Sequence, residues 1–446
     1  MHYSTDYRLE DFILGTKWQS VPDEVRLRIK GCFVDLVGAL IVGSRSKQFD
    51  AGVKLAETLF PAGNVPVVGS EKTFGLVGAA TAMGHSSNAY DIDDGHNLIR
   101  AHPGTSFVGG LLAAGWERDV SRDEFLTALL VAYEATIRGG AAIMDYYRFA
   151  HSSGTFGAVG VAAGAGRLLG FTREQLNNAL SVAEFNAPLV PGIRSVEYPS
   201  MNKDGVPFGV MVGMLAVMET LCGFTGNKNL LESDEYRGYL DDLGKRWEVM
   251  ELYFKPYSCC RWAHPAIDAC LSLMRQYDLK PEDVERATID TFRNATMLSK
   301  IVPKTADEAQ YNIAYPVAAA LVYGDFGLAQ VRDESLGDAR VTEMMGRLRF
   351  RVEPKFDEQF PAHRICRAEI VTRDGRTLVS DEFEPSGEAS DHVGLDWLCD
   401  KFRRVTGSVL SKAGQDALLA LITREDDLPL RKIVETANRP EYRLDR

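Results

Sequence analysis

The sequence predicts a mainly α fold: a large helical domain that the chain leaves and later re-enters, with a smaller α+β domain in between. Three observations carry this. Long apolar segments with helical spacing dominate the first 255 residues. Short strand-like runs and a hairpin-turn signal appear after residue 258, and the last fifty residues return to helical spacing. At 446 residues the chain also exceeds the ~250 to 300 at which a single core stops growing, so more than one domain is expected.

In chain order, apolar spacing places helices over 26–42, 76–89, 106–116, 122–142 and 206–221. Ser121 followed by Glu124, and Thr172 followed by Gln175, have the hydroxyl-to-Glu/Gln spacing of a capping box. The small-residue run from Gly154 to Gly166 is broken by Arg167. That makes it too short to cross a bilayer of ~30 Å. Its glycines do not follow a strand as a dinucleotide-binding turn would; it reads as a buried helix whose neighbours approach closely. Beyond residue 258, strands are expected over 286–292, 348–352 and 367–372. Asp374-Gly375 turns the last of these into Thr377-Leu378-Val379. Helices over 263–276, 315–323 and 341–347 are interleaved, and those over 395–405 and 411–423 close the chain. The expected division is 1–258 helical, 259–394 a smaller α+β domain, and 395–446 back on the first.

Composition narrows the function. A net charge of -12 argues against a general nucleic-acid binder, which needs clustered cations. It leaves room for a small anionic ligand, since a few cations inside a pocket reverse the local field. Seven scattered cysteines lack disulfide-framework or metal-cluster spacing, so no metal and no cofactor is expected. The N-terminus has no basic stretch leading into an apolar one, and no membrane span is expected; a cytoplasmic location follows as the expectation. GxSxG, P-loop, HExxH and paired CxxC motifs are absent, which moves serine hydrolysis, phosphoryl transfer and zinc hydrolysis out of the front rank.

What stands out is Asp91-Ile92-Asp93-Asp94-Gly95-His96 running to Arg100-Ala101-His102-Pro103-Gly104, carboxylates and imidazoles set between apolar helices and ending on a helix-stopping Pro-Gly. Four further polar segments also precede or open an apolar helix: His151-Ser152-Ser153; Arg194 to Asp204, with Lys203; Lys255 to His264; and Gln310-Tyr311-Asn312. Helix N-termini favour anions, so the five segments together make an anion pocket. His102 is a candidate general acid or base, or a histidine bonded to a nearby carboxylate. His151 has the same two readings. His96 is expected in a surface loop, Asp93 and Asp94 as capping residues, and Asp91 as the residue that orients a histidine. Lys203 and Lys255 either face solvent or bind a carboxylate. Tyr311 is a proton donor or a core tyrosine.

These residues resemble the Asp-Phe-Asp-Asp to His-Pro signature of the MmgE/PrpD family, which holds 2-methylcitrate dehydratase, cis-aconitate decarboxylase and iminodisuccinate epimerase. The likeness continues through His151-Ser152-Ser153-Gly154-Thr155-Phe156-Gly157, Lys203, Gly223-Phe224-Thr225-Gly226, Lys255-Pro256-Tyr257-Ser258-Cys259-Cys260 with His264, and Ala309-Gln310-Tyr311. It departs between Gly95 and Ala101, where Asn97-Leu98-Ile99 replaces the family's more usual polar residues and proline. The resemblance implies a lid-like α+β domain over a pocket, a homodimer, and active-site positions at Asp91, His102, His151, Lys203, Lys255 and Tyr311. On that reading His102, His151 and Tyr311 move protons and Asp91 orients His102, while Lys203, Lys255, His264 and Arg194 bind substrate carboxylates. The expected activity is dehydration of a small hydroxy di- or tricarboxylate of the 2-methylcitrate kind. Epimerisation of an amino- or imino-dicarboxylate, decarboxylation of the cis-aconitate kind, and non-enzymatic anion binding stand as alternatives.

Overall fold

The computed structural model describes residues 2–4, 6–149, 152–391 and 393–444. It is mainly helical, and its core forms where the apolar spacing demands. Helix α1 (Asp23–Gly43) is buried on nearly every side from Ile29 onward. Beyond a further helix at Lys47–Leu59 come α2 (Leu76–Ser87), α3 (Val108–Arg118), α4 (Arg122–Tyr147), α5 (Ser153–Leu169), α6 (Arg173–Asn186) and α7 (Val206–Leu221). Ser121 caps α4 by accepting from the Glu124 N–H, but the Glu124 carboxylate turns to Arg167, so only half of the capping box forms. At α6 the Thr172–Gln175 box is complete.

The glycine-rich segment is the buried helix α5. A Cβ on Gly160 would lie 2.6 Å from the Phe107 ring, and one on Gly164 would lie 2.7 Å from Leu111. Small residues therefore let α5 press against the start of α3. Helix α4 is long and apolar enough to span a bilayer, yet its apolar window lies entirely inside the fold.

Later in the chain α8 (His264–Gln276), α9 (Ala314–Tyr323) and α10 (Ala339–Arg347) accompany a four-stranded sheet. In chain order its strands are β3 (Val284–Thr291), β4 (Leu348–Val352), β5 (Cys366–Thr372) and β6 (Thr377–Val379), numbered after the two short strands of the site that are introduced below. The spatial order is β4-β3-β5-β6. β3 runs parallel to β4, with Ile289 opposite Phe350, and antiparallel to β5, with Ile289 opposite Ala368. Cys366, Ala368, Ile370 and Thr372 are the buried alternate positions of β5, the period-2 pattern of a sheet with one covered face, and α8 packs against this strand.

Helix α11 (Leu395–Thr406) then returns to α1, followed by α12 (Lys412–Thr423). One buried contact ties this return to the polar cluster. Lys401 on α11 donates to the Ile92 carbonyl at 2.6 Å and pairs with Asp35 on α1 at 2.6 Å.

The two short strands assemble the site. β1 (Asp94–His96) pairs antiparallel with β2 (Leu252–Phe254), setting Asp94 opposite Phe254 and Gly95 opposite Tyr253. Gly95 is required there, because a Cβ would fall 2.2 Å from the Tyr253 ring. His96 is consequently not in a surface loop: it is 2% exposed and lies 3.5 Å from the buried Glu248. Pro103-Gly104 does not end a helix either; Gly104–Ser106 is a 3-10 turn leading into α3.

Candidate active site

Pairing β1 with β2 carries Lys255 onto Asp91. Asp91 adopts a left-handed backbone, φ 50°, a conformation Asp tolerates better than most residues. Its Oδ1 accepts from the Lys255 Nζ at 2.5 Å. Both side chains are about 1% exposed. The same Oδ1 lies 3.5 Å from Nε2 of His102, and Lys255 Nζ is 3.4 Å from that nitrogen. One carboxylate oxygen thus sits between two cationic groups.

The opposite edge of the imidazole is fixed more firmly. His102 Nδ1 donates to the Asp94 carbonyl at 2.7 Å and lies 3.2 Å from Asp93 Oδ2. Asp93 is held in turn by Asn88 at 3.1 Å and by the Thr105 hydroxyl at 2.9 Å. Both carboxylates thus flank His102, Asp93, expected only to cap, at Nδ1 and Asp91 at Nε2. Asp94 is spent on structure, accepting from Gly104 N–H at 3.1 Å and from the Tyr133 hydroxyl. Backbone contacts complete the setting: His102 N–H donates to Ser153 Oγ at 2.9 Å, and Ser106 Oγ donates to the His102 carbonyl at 2.6 Å.

These groups open onto a cavity of about 210 Å³. Tyr311 and Asp204 also line it. The Tyr311 hydroxyl donates to Asp204 Oδ2 at 3.1 Å, and Ser152 Oγ donates to Asp204 Oδ1 at 2.5 Å. Part of the apolar wall is Trp262 and Phe360, rings edge-on at 6.0 Å. Arg100, Arg261 and Arg364 add positive charge.

Other expected site residues are placed elsewhere. Lys203 is buried but does not line the cavity. Its Nζ donates to the Ala89 carbonyl at 2.9 Å and to Gln310 Oε1 at 2.7 Å, while Gln310 Nε2 donates to the same carbonyl at 3.1 Å. This triangle pins the chain two residues before Asp91. His264 is fully buried, with Nε2 donating to the Cys259 carbonyl at 3.0 Å. Burial and the nearby Arg261 and Lys255 hold it well below the usual histidine range, hence neutral. Arg194 is exposed on the short helix Gly192–Glu197, beside a different surface depression. His151 lies outside the described residues. Asp204, Arg261 and Arg364 went unread as site residues. Asp204 directly follows Lys203, and Arg261 stands inside the Lys255 to His264 segment, so both had a signal; Arg364, in a loop before β5, had none.

The site is loaded with protons. Burial and the Lys255 charge disfavour a protonated His102, but the Asp93 and Asp91 carboxylates outweigh them and raise it to about 9. Burial likewise works against the Lys255 ammonium, and Asp91 more than compensates, holding it above the usual lysine range. Burial and Asp204 push the Tyr311 phenol well up, so it keeps its proton. Burial raises the cavity's Cys260 thiol to about 12, which leaves it a poor nucleophile. Asp91, His102 and Asp204 have ligand atoms within 4.8 Å of one another. A metal, however, requires a neutral imidazole, and here Asp91 already holds a resident ammonium.

Fold and site define the class: a mainly helical protein whose cavity joins proton donors to several cations, built from segments far apart in the chain. The chain belongs to the MmgE/PrpD family, whose N-terminal domain matches residues 7–249 and whose C-terminal domain matches residues 257–427. It is similar to a cis-aconitate decarboxylase-like protein, oryM, of Aspergillus oryzae, 26% identical over 93% of this chain and 96% of the relative. A cis-aconitate decarboxylase of Aspergillus terreus is 25% identical, with 93% and 92% covered. The cis-aconitate decarboxylase of Homo sapiens is 21% identical, with 93% and 90% covered.

Proposed function

We propose that this protein is a lyase that removes CO2 from a small unsaturated tricarboxylate of the cis-aconitate kind and protonates the carbon left behind. The observation that carries the reading is the pair of proton donors, His102 Nε2 and Lys255 Nζ, 3.4 Å apart at the cavity. In such a reaction the C–C bond to one carboxylate breaks, and its electron pair passes into the adjacent unsaturated system, where a neighbouring cation stabilises it. A positioned acid then delivers a proton to carbon. Lys255 and His102 supply both requirements, and Asp93 keeps the imidazole in the orientation that leaves Nε2 toward the cavity.

Dehydration, the first expectation from sequence, needs a group that arrives without its proton and removes one from carbon. Among the described residues, which leave out His151, Asp91 is taken up by Lys255, and Asp204 by Tyr311 and Ser152, while His102 is held protonated. An epimerase needs a comparable acceptor on each face of the carbon. Decarboxylation therefore stands ahead of both, and the names of the relatives point the same way.

Offering the protein cis-aconitate, citrate-type hydroxy acids and saturated tricarboxylates, and trapping released CO2, tests the reading. CO2 is expected from the unsaturated acid alone. Loss of water from a hydroxy acid without CO2 would restore the dehydratase, and no change in any acid would leave an anion-binding protein.

Two further elements of this reading are the use of the 259–394 part as a lid over the cavity and a homodimer. Phe208, Leu215 and Leu221 on α7 are 44%, 40% and 50% exposed, and Phe185 and Phe224 nearby are more so. A second copy of the chain is the proposed cover for this apolar face. Sedimentation at micromolar concentration is expected to give twice the chain mass, and Leu215→Glu to give a monomer; a monomeric wild type would refute it.

A further inference from the structure

We propose that Arg261 and Arg364 form a carboxylate subsite distinct from the His102–Lys255 pair, and that Asn97 positions it, making the protein selective for acids with more than one carboxylate beyond the reacting carbon. The proposal rests on the lyase reading for the chemistry but not for the binding.

Both arginines line the cavity while being only 5% and 7% exposed. A buried guanidinium is retained where it is satisfied or where it awaits an anion. Arg261 is met by Glu388 and by the Pro385 and Ser386 carbonyls, whereas Arg364 has Asn97 as its one acceptor among the described residues; the Nε of each is enclosed without an acceptor. The bonds that are made form one chain. Arg261 Nη2 donates to Glu388 Oε1 at 2.8 Å, Asn97 Nδ2 donates to Glu388 Oε2 at 2.9 Å, and Arg364 Nη1 donates to Asn97 Oδ1 at 2.9 Å. Arg261 is further anchored on the Ser386 carbonyl at 2.8 Å, with its guanidinium over the Tyr253 ring at 4.5 Å.

Glu388 and Asn97 therefore act as the fixed side of a clamp that holds two planar forks, the geometry suited to carboxylates. Asn97 is exposed, so its side chain can be changed without disturbing the core. Charge agrees. Arg100, Lys255, Arg261 and Arg364 line the cavity with Asp91 and Asp204. Lys255 is paired with Asp91 and Arg261 with Glu388, so Arg100 and Arg364 are the cavity cations without a carboxylate partner among the described residues.

Equilibrium binding by calorimetry tests this without turnover, using propane-1,2,3-tricarboxylate and glutarate as probes and thermal melts as the folding control. The wild type is expected to bind the tricarboxylate roughly 10-fold or more tighter than glutarate. Arg261→Gln and Arg364→Gln should each weaken tricarboxylate binding by roughly 10- to 100-fold and erase the preference. Arg364→Lys should restore part of it. Asn97→Ala, a change at an exposed position that spares the fold even where the arginine variants do not, should lose several-fold. Where the chain turns over its substrate, the loss should appear in KM with kcat little changed. Undiminished preference in Asn97→Ala and the arginine variants, or no preference in the wild type, overturns the subsite. Tight, arginine-dependent binding without CO2 release would leave the subsite standing and remove the decarboxylase reading instead.

Discussion

Replacing Lys255 by methionine is expected to lower kcat by roughly 10²- to 10⁴-fold, the range for loss of a positioned acid. It should also destabilise the fold, by up to about 3–5 kcal/mol, because it removes the nearer of the two cations that hold a buried carboxylate. Asp91 and Lys255 are both about 1% exposed and 2.5 Å apart. Adding Asp91→Asn removes the stranded charge, so the double variant should recover most of the stability while remaining inactive. Urea unfolding of the two single variants and the double, beside turnover of each, separates the two roles. A Lys255→Met protein as stable as the wild type would mean that the pair is open to solvent. One with normal kcat would remove Lys255 from the reaction.

The second large effect is on pH dependence. His102 is raised from the ordinary histidine value to about 9, so kcat/KM should be level through neutrality and fall above about pH 9, where the imidazolium loses its proton. Stability should follow the same group. A cation raised in the folded state contributes stability that is fully present below about pH 6.5 and is lost as pH rises through about 9. In His102→Gln the alkaline limb of activity should vanish along with most of the activity, and the drop in Tm between pH 6.5 and 9.5 should shrink. Buried Asp94, which burial raises to about 7, works in the opposite range: its extra proton affinity favours the fold at acid pH, and that benefit fades as pH rises toward 7. Comparing wild type with His102→Gln at each pH leaves Asp94 unchanged and isolates the histidine. An acid limb near pH 6 and no alkaline fall would show His102 working as a base.

Much of the helical frame was legible in the sequence because it follows from apolar spacing, which local chemistry does not override inside a core. The expected helix over 122–142 is the buried front of α4, and the strand over 348–352 coincides with β4. The polar cluster, Lys255 and Tyr311 were legible as polar groups set before apolar helices. Their partners were not. Which of Asp91, Asp93 and Asp94 faces His102 is decided by a three-residue strand pair, β1 with β2, too short to leave an alternating pattern. The same pairing buried His96, which neighbouring Gly95 and Asn97 made look like a loop residue. Lys203 turned to Ala89 and Gln310 because these two acceptors close around its ammonium, a long-range arrangement with no local trace. Arg364 reaches the cavity from a loop outside every motif.

The central claim is that the cavity donates a proton to carbon as CO2 departs. Running the reaction on cis-aconitate in deuterated water and locating the label by NMR tests it most directly. The account predicts loss of one carboxylate with a single deuterium on the carbon that receives the proton, and no label in recovered substrate. Deuterium washed into recovered substrate without CO2 release, or conversion to a hydroxy acid by addition of water, would contradict it.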